Sequence, residues 1–178
     1  MLEGKNVNLR IREKEDLPLI AEWTNNPEFW GEFFSPLQRS RFEMEKAQEN
    51  NPFESQMFLI EKKDGTPIGF TMHFCMLHPM GKFLEMGFVL IPSERRKGYC
   101  TEAAKIMVDY LFLSKDIVCI QGITDVGNIA SQKVLEKAGF KKEGLIRKRF
   151  FARGEWKDTS FYSILRDEWK EPKILKIK

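Results

Sequence analysis

The residues best suited to chemistry lie in a short basic turn near the middle of the chain. Arg95, Arg96 and Lys97 precede Gly98, and a stretch with helical periodicity follows. Glycine lets a ligand approach the main chain closely and adopts a left-handed conformation easily. The first N–H groups of a helix have no intrahelical acceptor and lie at the positive end of its dipole. The turn is therefore a candidate phosphate site, the alternative being an ordinary basic surface turn, and it lacks the GxxxxGK[ST] spacing of a nucleotide triphosphatase.

A second group of chemically versatile residues comprises His73, Cys75 and His78. Imidazole and thiolate groups bind zinc, but structural zinc sites use four ligands with characteristic spacings. These three residues lie on a predicted strand and its turn, and no fourth ligand is local. We therefore predict no metal site.

Two elements must position the basic turn. Before it, apolar residues alternate along Glu85–Leu90, which predicts a strand with Glu85 as its opening residue. After it, a helix opening near Cys100 or Thr101 is predicted. Its apolar residues recur at three- and four-residue spacing and are Ala103, Ile106, Met107, Tyr110 and Leu113.

The remaining pattern predicts a mixed α/β (α+β) domain. Further strands are predicted at residues 7–11, 57–61, 67–77, 117–123, 145–152 and 156–165. Further helices are predicted from Asp16 to Asn25, from Phe42 to Asn50, and from Asn128 to Gly139 with Ile129, Val134, Leu135 and Ala138 buried. About seven strands then form one sheet with helices on its faces.

Composition limits the class of protein. The chain has 178 residues, of which 42% are hydrophobic and 31% charged, which predicts one globular domain. The net charge of +3 is too small to indicate nucleic-acid binding. Because the N-terminus carries no apolar signal segment, no run is long enough to span a membrane and the three cysteines are scattered, we predict a cytoplasmic protein with reduced thiols. We assign residues 1–169 to the domain and expect the basic tail, 170–178, to be frayed or weakly docked.

Two sequence blocks resemble the GNAT acetyltransferases, and within them the RimJ/RimL-like branch. Residues 95–100, Arg-Arg-Lys-Gly-Tyr-Cys, are similar to the acyl-CoA pyrophosphate loop Gln/Arg-x-x-Gly-x-Gly/Ala, with Cys100 where Gly or Ala is usual. The strand phrase before this loop and Thr101-Glu102-Ala103 after it fit the same branch. About thirty residues later, residues 128–131, Asn-Ile-Ala-Ser, followed by residues 136–140, Glu-Lys-Ala-Gly-Phe, resemble its second block.

The resemblance implies a GNAT fold, with a twisted, mixed and mostly antiparallel sheet of about seven strands and helices on both faces. It also implies acetyl-CoA as co-substrate, with no metal. The pantetheine arm would pair with the strand backbone, the pyrophosphate would lie on the basic turn, and the side chains of Arg95 and Arg96 would reach the adenosine phosphates. The residues assigned to cofactor binding in this way are Phe88, Val89, Leu90, Arg95, Arg96, Lys97, Gly98, Tyr99, Cys100, Thr101, Asn128 and Ser131.

Acetyl transfer from a thioester to an amine needs a base for the amine and a proton for the leaving thiolate. We assign Glu85 as the base because it lies next to the expected acetyl position; the alternative is a solvated charge at the end of a strand. Many family members place a tyrosine donor seven residues after the motif asparagine, where this chain has Leu135. We assign Ser131 as the substitute donor, the alternative being a hydroxyl that bonds a backbone carbonyl.

The acceptor is the least determined feature. The aromatic segment Phe29–Phe34 predicts either a lid of core side chains or an acceptor pocket. The resemblance favours the pocket, with Phe29, Trp30, Phe33 and Glu85 as substrate-binding residues. We predict direct attack by a protein or peptide N-terminal amine in a ternary complex. The alternatives are a small amine (amino acid, polyamine or aminoglycoside) and a catalytically silent acyl-CoA-binding module, and the aromatic segment is also a candidate homodimer contact.

Overall fold

One sheet runs through the centre of the molecule and carries helices on both faces. The computed structural model describes residues 1–35, 38–49, 55–78 and 81–175. The strands are β1 (Leu2–Glu3), β2 (Val7–Ile11), β3 (Gln56–Lys62), β4 (Pro67–His78), β5 (Gly81–Leu90), β6 (Cys119–Asp125), β7 (Lys141–Ala152) and β8 (Glu155–Leu165). The helices are α1 (Leu17–Asn25), α2 (Pro27–Trp30), α3 (Arg41–Glu49), α4 (Tyr99–Ser114) and α5 (Ile129–Ala138).

The eight strands lie in the order β1-β2-β3-β4-β5-β6-β8-β7. The β5–β6 pair is parallel and the other neighbouring pairs are antiparallel. This confirms the mixed, mostly antiparallel sheet that the family resemblance implied. The additional strand is β1, which pairs Leu2 with Leu9 and is too short to show a periodicity.

Alternating side chains divide between two cores. Leu84 and Met86 of β5 pack on one face of the sheet with buried residues of α4 and α5. Phe70 of β4 packs on the other face with Ile20 of α1 and Phe29 of α2. Because successive strand residues point to opposite faces, Glu85 lies on the face that carries α1 and α2.

Several element boundaries differ from the sequence prediction. β5 begins at Gly81, so the prediction that Glu85 opens this strand was wrong, and Glu85 is its fifth residue. α4 begins at Tyr99, and β7 begins at Lys141 rather than at Leu145. Pairing with neighbouring strands sets the starts of β5 and β7, and the local periodicity of the sequence does not show that pairing. The predicted helix end at Asn50 and the turn containing Pro79 and Met80 lie outside the described residues.

Two residues assigned to buried helix stripes are exposed instead. Leu113 is 42% exposed and Ile129 is 54% exposed. Both lie in a terminal turn of their helix, where packing against the sheet ends. Val134 is half-buried, and Leu135 and Ala138 are buried as predicted.

A buried carboxylate anchors the C-terminal tail at residues 173–175, so the expectation of a frayed tail was wrong there. Asp109, in the middle of α4, is fully buried. Its oxygens accept four hydrogen bonds, from Trp169 Nε1 and from the backbone N–H groups of Lys173, Ile174 and Leu175, at 2.6–3.0 Å. A buried charge needs such partners. Asp109 therefore ties residues 173–175 to the domain, where Ile174 and Leu175 also pack against the core.

We expect Asp109→Asn to lower the free energy of unfolding by about 2–4 kcal/mol, because an amide has one acceptor oxygen where the carboxylate has two, and hydrogen bonds to charged groups contribute about 1.5–3 kcal/mol each. Urea unfolding measures the change. Asp116→Asn, at an exposed aspartate just beyond α4, is the matched control. Equal effects of the two substitutions, or a full Asp109→Asn effect in a chain that ends at Glu171, would show that the tail is not what the carboxylate holds.

Candidate active site

β5 and β6 pair over two residues and then separate. The paired positions are Leu84 with Ile120 and Glu85 with Gln121, yet β5 continues to Leu90 and β6 to Asp125. Within the described sheet, the backbone of β5 beyond Glu85 therefore has β4 as its partner on one side and an opening on the other. Because the two strands are parallel, α4 and α5 both begin at the edge where this gap opens. The gap is bordered by the separated edges of β5 and β6 and by the two helix N-termini.

The N-terminus of α4 combines free amides with an unusual backbone. Gly98 is the N-cap and has φ 87°, a left-handed value, and Arg96 also has a positive φ of 65°. The first intrahelical bond runs from Glu102 N to Gly98 O, so the amides of Tyr99, Cys100 and Thr101 precede the helical ladder. These amides lie at the positive end of a 16-residue helix, as an anion site requires.

The thiol of Cys100, where the resembled motif has Gly or Ala, adds no charge to this site. Burial raises its pKa to about 12. The thiol is therefore neutral at physiological pH, and no thiolate opposes the binding of an anion beside it.

The guanidinium of Arg95 points back into the domain. Nε donates to Leu90 O at 3.0 Å, and one terminal nitrogen donates to Phe29 O at 2.7 Å and to Glu28 O at 3.3 Å. These contacts tie the end of β5 to α2. They make Arg95 a positioning residue for the loop, which differs from the predicted reach toward adenosine phosphates. Arg96 and Lys97 are exposed.

The N-terminus of α5 forms the second border of the gap. Asn128 is its N-cap, and its Oδ1 accepts a hydrogen bond from Ser131 N at 3.0 Å. The remaining amide nitrogen of Asn128 is a donor. Ser131, in the first turn, is half-buried. Leu135 is 2% exposed and packs against Gly122 of β6, so the position of the family's usual tyrosine is filled by core packing.

Glu85 lies where the gap begins, since its Cα pairs with Gln121 at the last β5–β6 contact. Burial raises the pKa of its carboxyl, and the positive charge of Arg149 partly offsets that rise. A carboxylate with a raised pKa is better suited to accept a proton near neutral pH than an exposed one. The geometry and the pKa direction are both those expected of a general base.

The aromatic segment divides between core and surface. Phe29 is 1% exposed and packs with Trp23, Trp30 and Phe70; its assignment to an acceptor pocket is corrected to a core residue. Trp30 and Phe33 are half-buried.

Beyond Phe33, the segment is fastened to the hairpin of β7 and β8. Phe34 stacks on Phe150, with ring centroids 5.7 Å apart. Arg153 donates to Gly31 O at 2.7 Å and to Phe34 O at 3.2 Å. The segment therefore bridges from α2 to the far side of the β5–β6 gap.

A cavity of about 340 Å³ lies on the Glu85 face of the sheet, between α1, α3 and the strands. Its apolar wall includes Trp30, Met44, Met57, Phe70 and Met72, and its cations are Arg12 and Arg39. Met72 is the diagonal neighbour of Glu85, because Phe74 pairs with Glu85 and Met72 with Gly87. Such neighbours on one face are about 7–8 Å apart.

Sequence reasoning missed two residues that shape this region. Arg149 lies at an irregularity of β7 between Ile146 and Phe150, so no alternation could assign it to the Glu85 face. Gln132 is buried, accepts a hydrogen bond from the Tyr162 hydroxyl at 3.1 Å and donates to Val126 O at 2.8 Å, which fixes the turn before α5. Gln132 lies three residues before Leu135, so the helical spacing of the sequence could have placed it on the buried face of α5.

The histidine considered as a metal ligand, His73, is fully buried on the α4 face, with Nε2 3.1 Å from Gln56 Oε1. Burial lowers its pKa to about 4. Among the described residues, no group of three or more His, Cys, Asp or Glu side chains could hold a metal ion.

Sequence comparison gives the family. The model for the acetyltransferase (GNAT) domain matches residues 6–141. The chain is 29% identical to the probable N-acetyltransferase YjcK of Bacillus subtilis over 93% of this chain and 97% of that protein. It is also 35% identical to the uncharacterized N-acetyltransferase YnaD of the same organism, over 48% of this chain and half the length of YnaD.

Solved structures share the fold. Spermidine N-acetyltransferase from Vibrio cholerae, in complex with CoA and spermine, aligns with a TM-score of 0.81 at 23% identity over 93% of this chain and 99% of that one. RimL, a ribosomal L7/L12 alpha-N-protein acetyltransferase in complex with coenzyme A, aligns with a TM-score of 0.80 at 18% identity, over 94% and 98% of the two chains. In the described part of the chain, helices of the length and apolarity needed to cross a membrane are absent. The family model, which covers most of the chain, and the full-length similarity to YjcK show that this protein belongs to the GNAT acetyltransferase family and is an acyltransferase.

Proposed function

We propose that the protein transfers an acetyl group from acetyl-CoA to the N-terminal amine of a peptide or protein, by direct attack in a ternary complex. The observation that supports this best is the β5–β6 gap, which brings a free strand edge, the α4 N-terminus and Glu85 together at one opening. The RimJ/RimL-like branch also stays a proposal, supported by the structural similarity to RimL.

Acetyl-CoA would occupy the gap as a substrate. Its pantetheine arm would pair with the backbone of Phe88–Leu90, as an added strand does. Its pyrophosphate would lie on the amides from Arg96 to Thr101, and the Asn128 amide nitrogen would donate to the arm from the α5 side. An open groove along α4 begins at Gly98 and Thr101 and includes Lys105, which gives the outer phosphates a path with positive charge.

The proposed chemistry uses two side chains. Glu85 takes one proton from the acceptor ammonium, and the neutral amine attacks the thioester carbonyl to form a C–N bond. The C–S bond then breaks, the sulfur leaves with the electron pair, and the Ser131 hydroxyl gives it a proton. The nitrogen gives its second proton to solvent water as the amide forms, and solvent water returns a proton to the serine oxygen.

The charge of the cavity lining supports a peptide acceptor over a polyamine. The residues lining the neighbouring cavity in the described structure include Arg12 and Arg39 and no carboxylate. A polycation would need several carboxylates around it. The carboxylates of Glu28 and Glu32 are exposed to solvent and do not line this cavity. Peptides instead carry apolar side chains and acidic groups, which suit an apolar cavity with a cationic rim.

The test is release of free thiol from acetyl-CoA with a panel of peptides, amino acids, polyamines and aminoglycosides. We expect release that depends on peptide and forms an N-terminal acetyl group detected by mass spectrometry. Release with spermidine alone would contradict the peptide proposal. Binding of acetyl-CoA without turnover of any acceptor, including peptides that begin with Met, would favour the alternative of a catalytically silent acyl-CoA-binding module.

Cellular context follows from weaker observations. Three free cysteines are consistent with a reducing cytoplasm, which we retain as a proposal.

A homodimer is also retained as a proposal. The best candidate for the dimer contact is now the pair Phe151 and Trp156, instead of the aromatic segment. Their side chains are 56% and 59% exposed and their rings lie edge to face.

A further inference from the structure

We propose that the cavity beside Glu85 binds the first residues of an acidic acceptor peptide, with an apolar side chain in the cavity and a carboxylate of the second or third residue on Arg12. The proposal deepens the peptide acetyltransferase function and rests on it. It names a substrate class, peptides with an apolar first residue and an early Asp or Glu, and it assigns specificity to Arg12.

Arg12 is a cation whose guanidinium has no hydrogen-bonded partner among the described residues. Its neighbour Arg10 donates to Asp16 at 2.8 and 2.9 Å and to Glu61 at 2.8 Å, which occupies both carboxylates. In the described part of the chain, the guanidinium of Arg12 makes no hydrogen bond. It is half-buried at the cavity, and burial lowers its pKa against the attraction of Asp16. A partly desolvated guanidinium with free donors favours a carboxylate, which it binds through two parallel hydrogen bonds.

The distances along the sheet fit a short peptide. Arg12 N donates to Met57 O, Met57 pairs with Met72 and Met72 with Gly87. Three strand spacings of about 4.8 Å therefore separate the Arg12 backbone from β5, or about 14 Å. An extended peptide advances about 3.3 Å per residue, so a second or third residue covers part of that span and the two long side chains cover the rest.

The apolar wall sets the first residue. Met44, Met57 and Met72 adapt their shape easily, and about 340 Å³ is enough for one large side chain. Since Met72 is a diagonal neighbour of Glu85, a residue whose side chain lies on Met72 has its amine within reach of the base.

The test compares three peptides that differ at their second residue, Met-Asp, Met-Asn and Met-Lys followed by one common neutral sequence. We expect kcat/KM to be at least tenfold higher for Met-Asp than for Met-Asn, which corresponds to the lower range of a charge-assisted hydrogen bond. In Arg12→Gln this ratio falls to about one, and in Arg12→Glu the order inverts in favour of Met-Lys. Arg41→Gln, an exposed arginine of α3 outside the cavity lining, keeps the wild-type ratio.

The outcomes separate this inference from the function on which it rests. If no peptide is acetylated and a small amine is, the peptide function fails first. If all three peptides are acetylated with equal kcat/KM, or Arg12→Gln and Arg41→Gln change the ratio equally, the function stands and the Arg12 proposal is overturned. A general loss of fold in Arg12→Gln would lower all three rates together, whereas the proposal requires a change in their ratio.

Discussion

Gly98→Val is expected to weaken CoA binding at least 100-fold. Gly98 has φ 87°, which valine adopts only with strain, and relief of that strain would turn the first amides of α4 away from the pyrophosphate. Hydrogen bonds to a charged group contribute about 1.5–3 kcal/mol each, so losing two of them accounts for the expected factor. Isothermal titration calorimetry with CoA measures it directly.

Gly65→Val is the matched control for this substitution. Gly65, in the hairpin between β3 and β4, has φ 84°, and a side chain added at either glycine would meet nothing within 4 Å. Both variants should therefore lose similar stability, about 1–2 kcal/mol, while only Gly98→Val loses CoA affinity. If the two variants bind CoA equally well, the loop is not the pyrophosphate site.

Glu85→Gln is expected to reduce kcat by about 10²–10⁴-fold, the usual contribution of a positioned general base, while CoA affinity is retained. The side chain keeps its shape, so the substitution tests proton transfer rather than packing. Glu32→Gln removes an exposed carboxylate from the neighbouring aromatic segment and should change kcat less than twofold. A Glu85→Gln variant with more than a third of wild-type kcat would place the base elsewhere.

The pH profile of kcat gives an independent test of Glu85. A base must be deprotonated, so activity is present above its pKa and is lost as the pH falls through it. Because burial raises the pKa of Glu85, this loss should occur at a higher pH than for an exposed glutamate, whose pKa is about 4.3. Glu85→Gln should remove that acidic limb and leave the limb of the acceptor amine, near pH 8 for an α-amino group.

Much of the candidate site was set by short-range preferences that a sequence shows directly. The glycine at 98 before a periodic helix, the asparagine cap at 128 and the glycine stop at 139 all lie where the sequence predicted them. Capping and left-handed turns depend on residues within one helical turn, so they can be predicted from the sequence without knowledge of the fold. The same local motifs carried the resemblance that the family model confirms.

Other features needed the tertiary structure because they join residues far apart in the chain. The β5–β6 gap, the inward guanidinium of Arg95 and the anchoring of the tail on Asp109 each depend on contacts between residues 36 or 66 positions apart. Phe29 could have lined a pocket or a core, and only the packing of α2 on β4 decided it.

The sequence by itself thus determined the domain class and the family motifs, and it located Gly98, Asn128 and Glu85, which the proposed site uses. The tertiary structure decided which face Glu85 occupies and that Arg149 lies near it. It also decided that Arg12, at an apolar cavity, has no hydrogen-bonded partner among the described residues. The physical reason is one of range. Backbone conformation follows from neighbours in sequence, whereas burial, strand register and unpaired charge follow from neighbours in space.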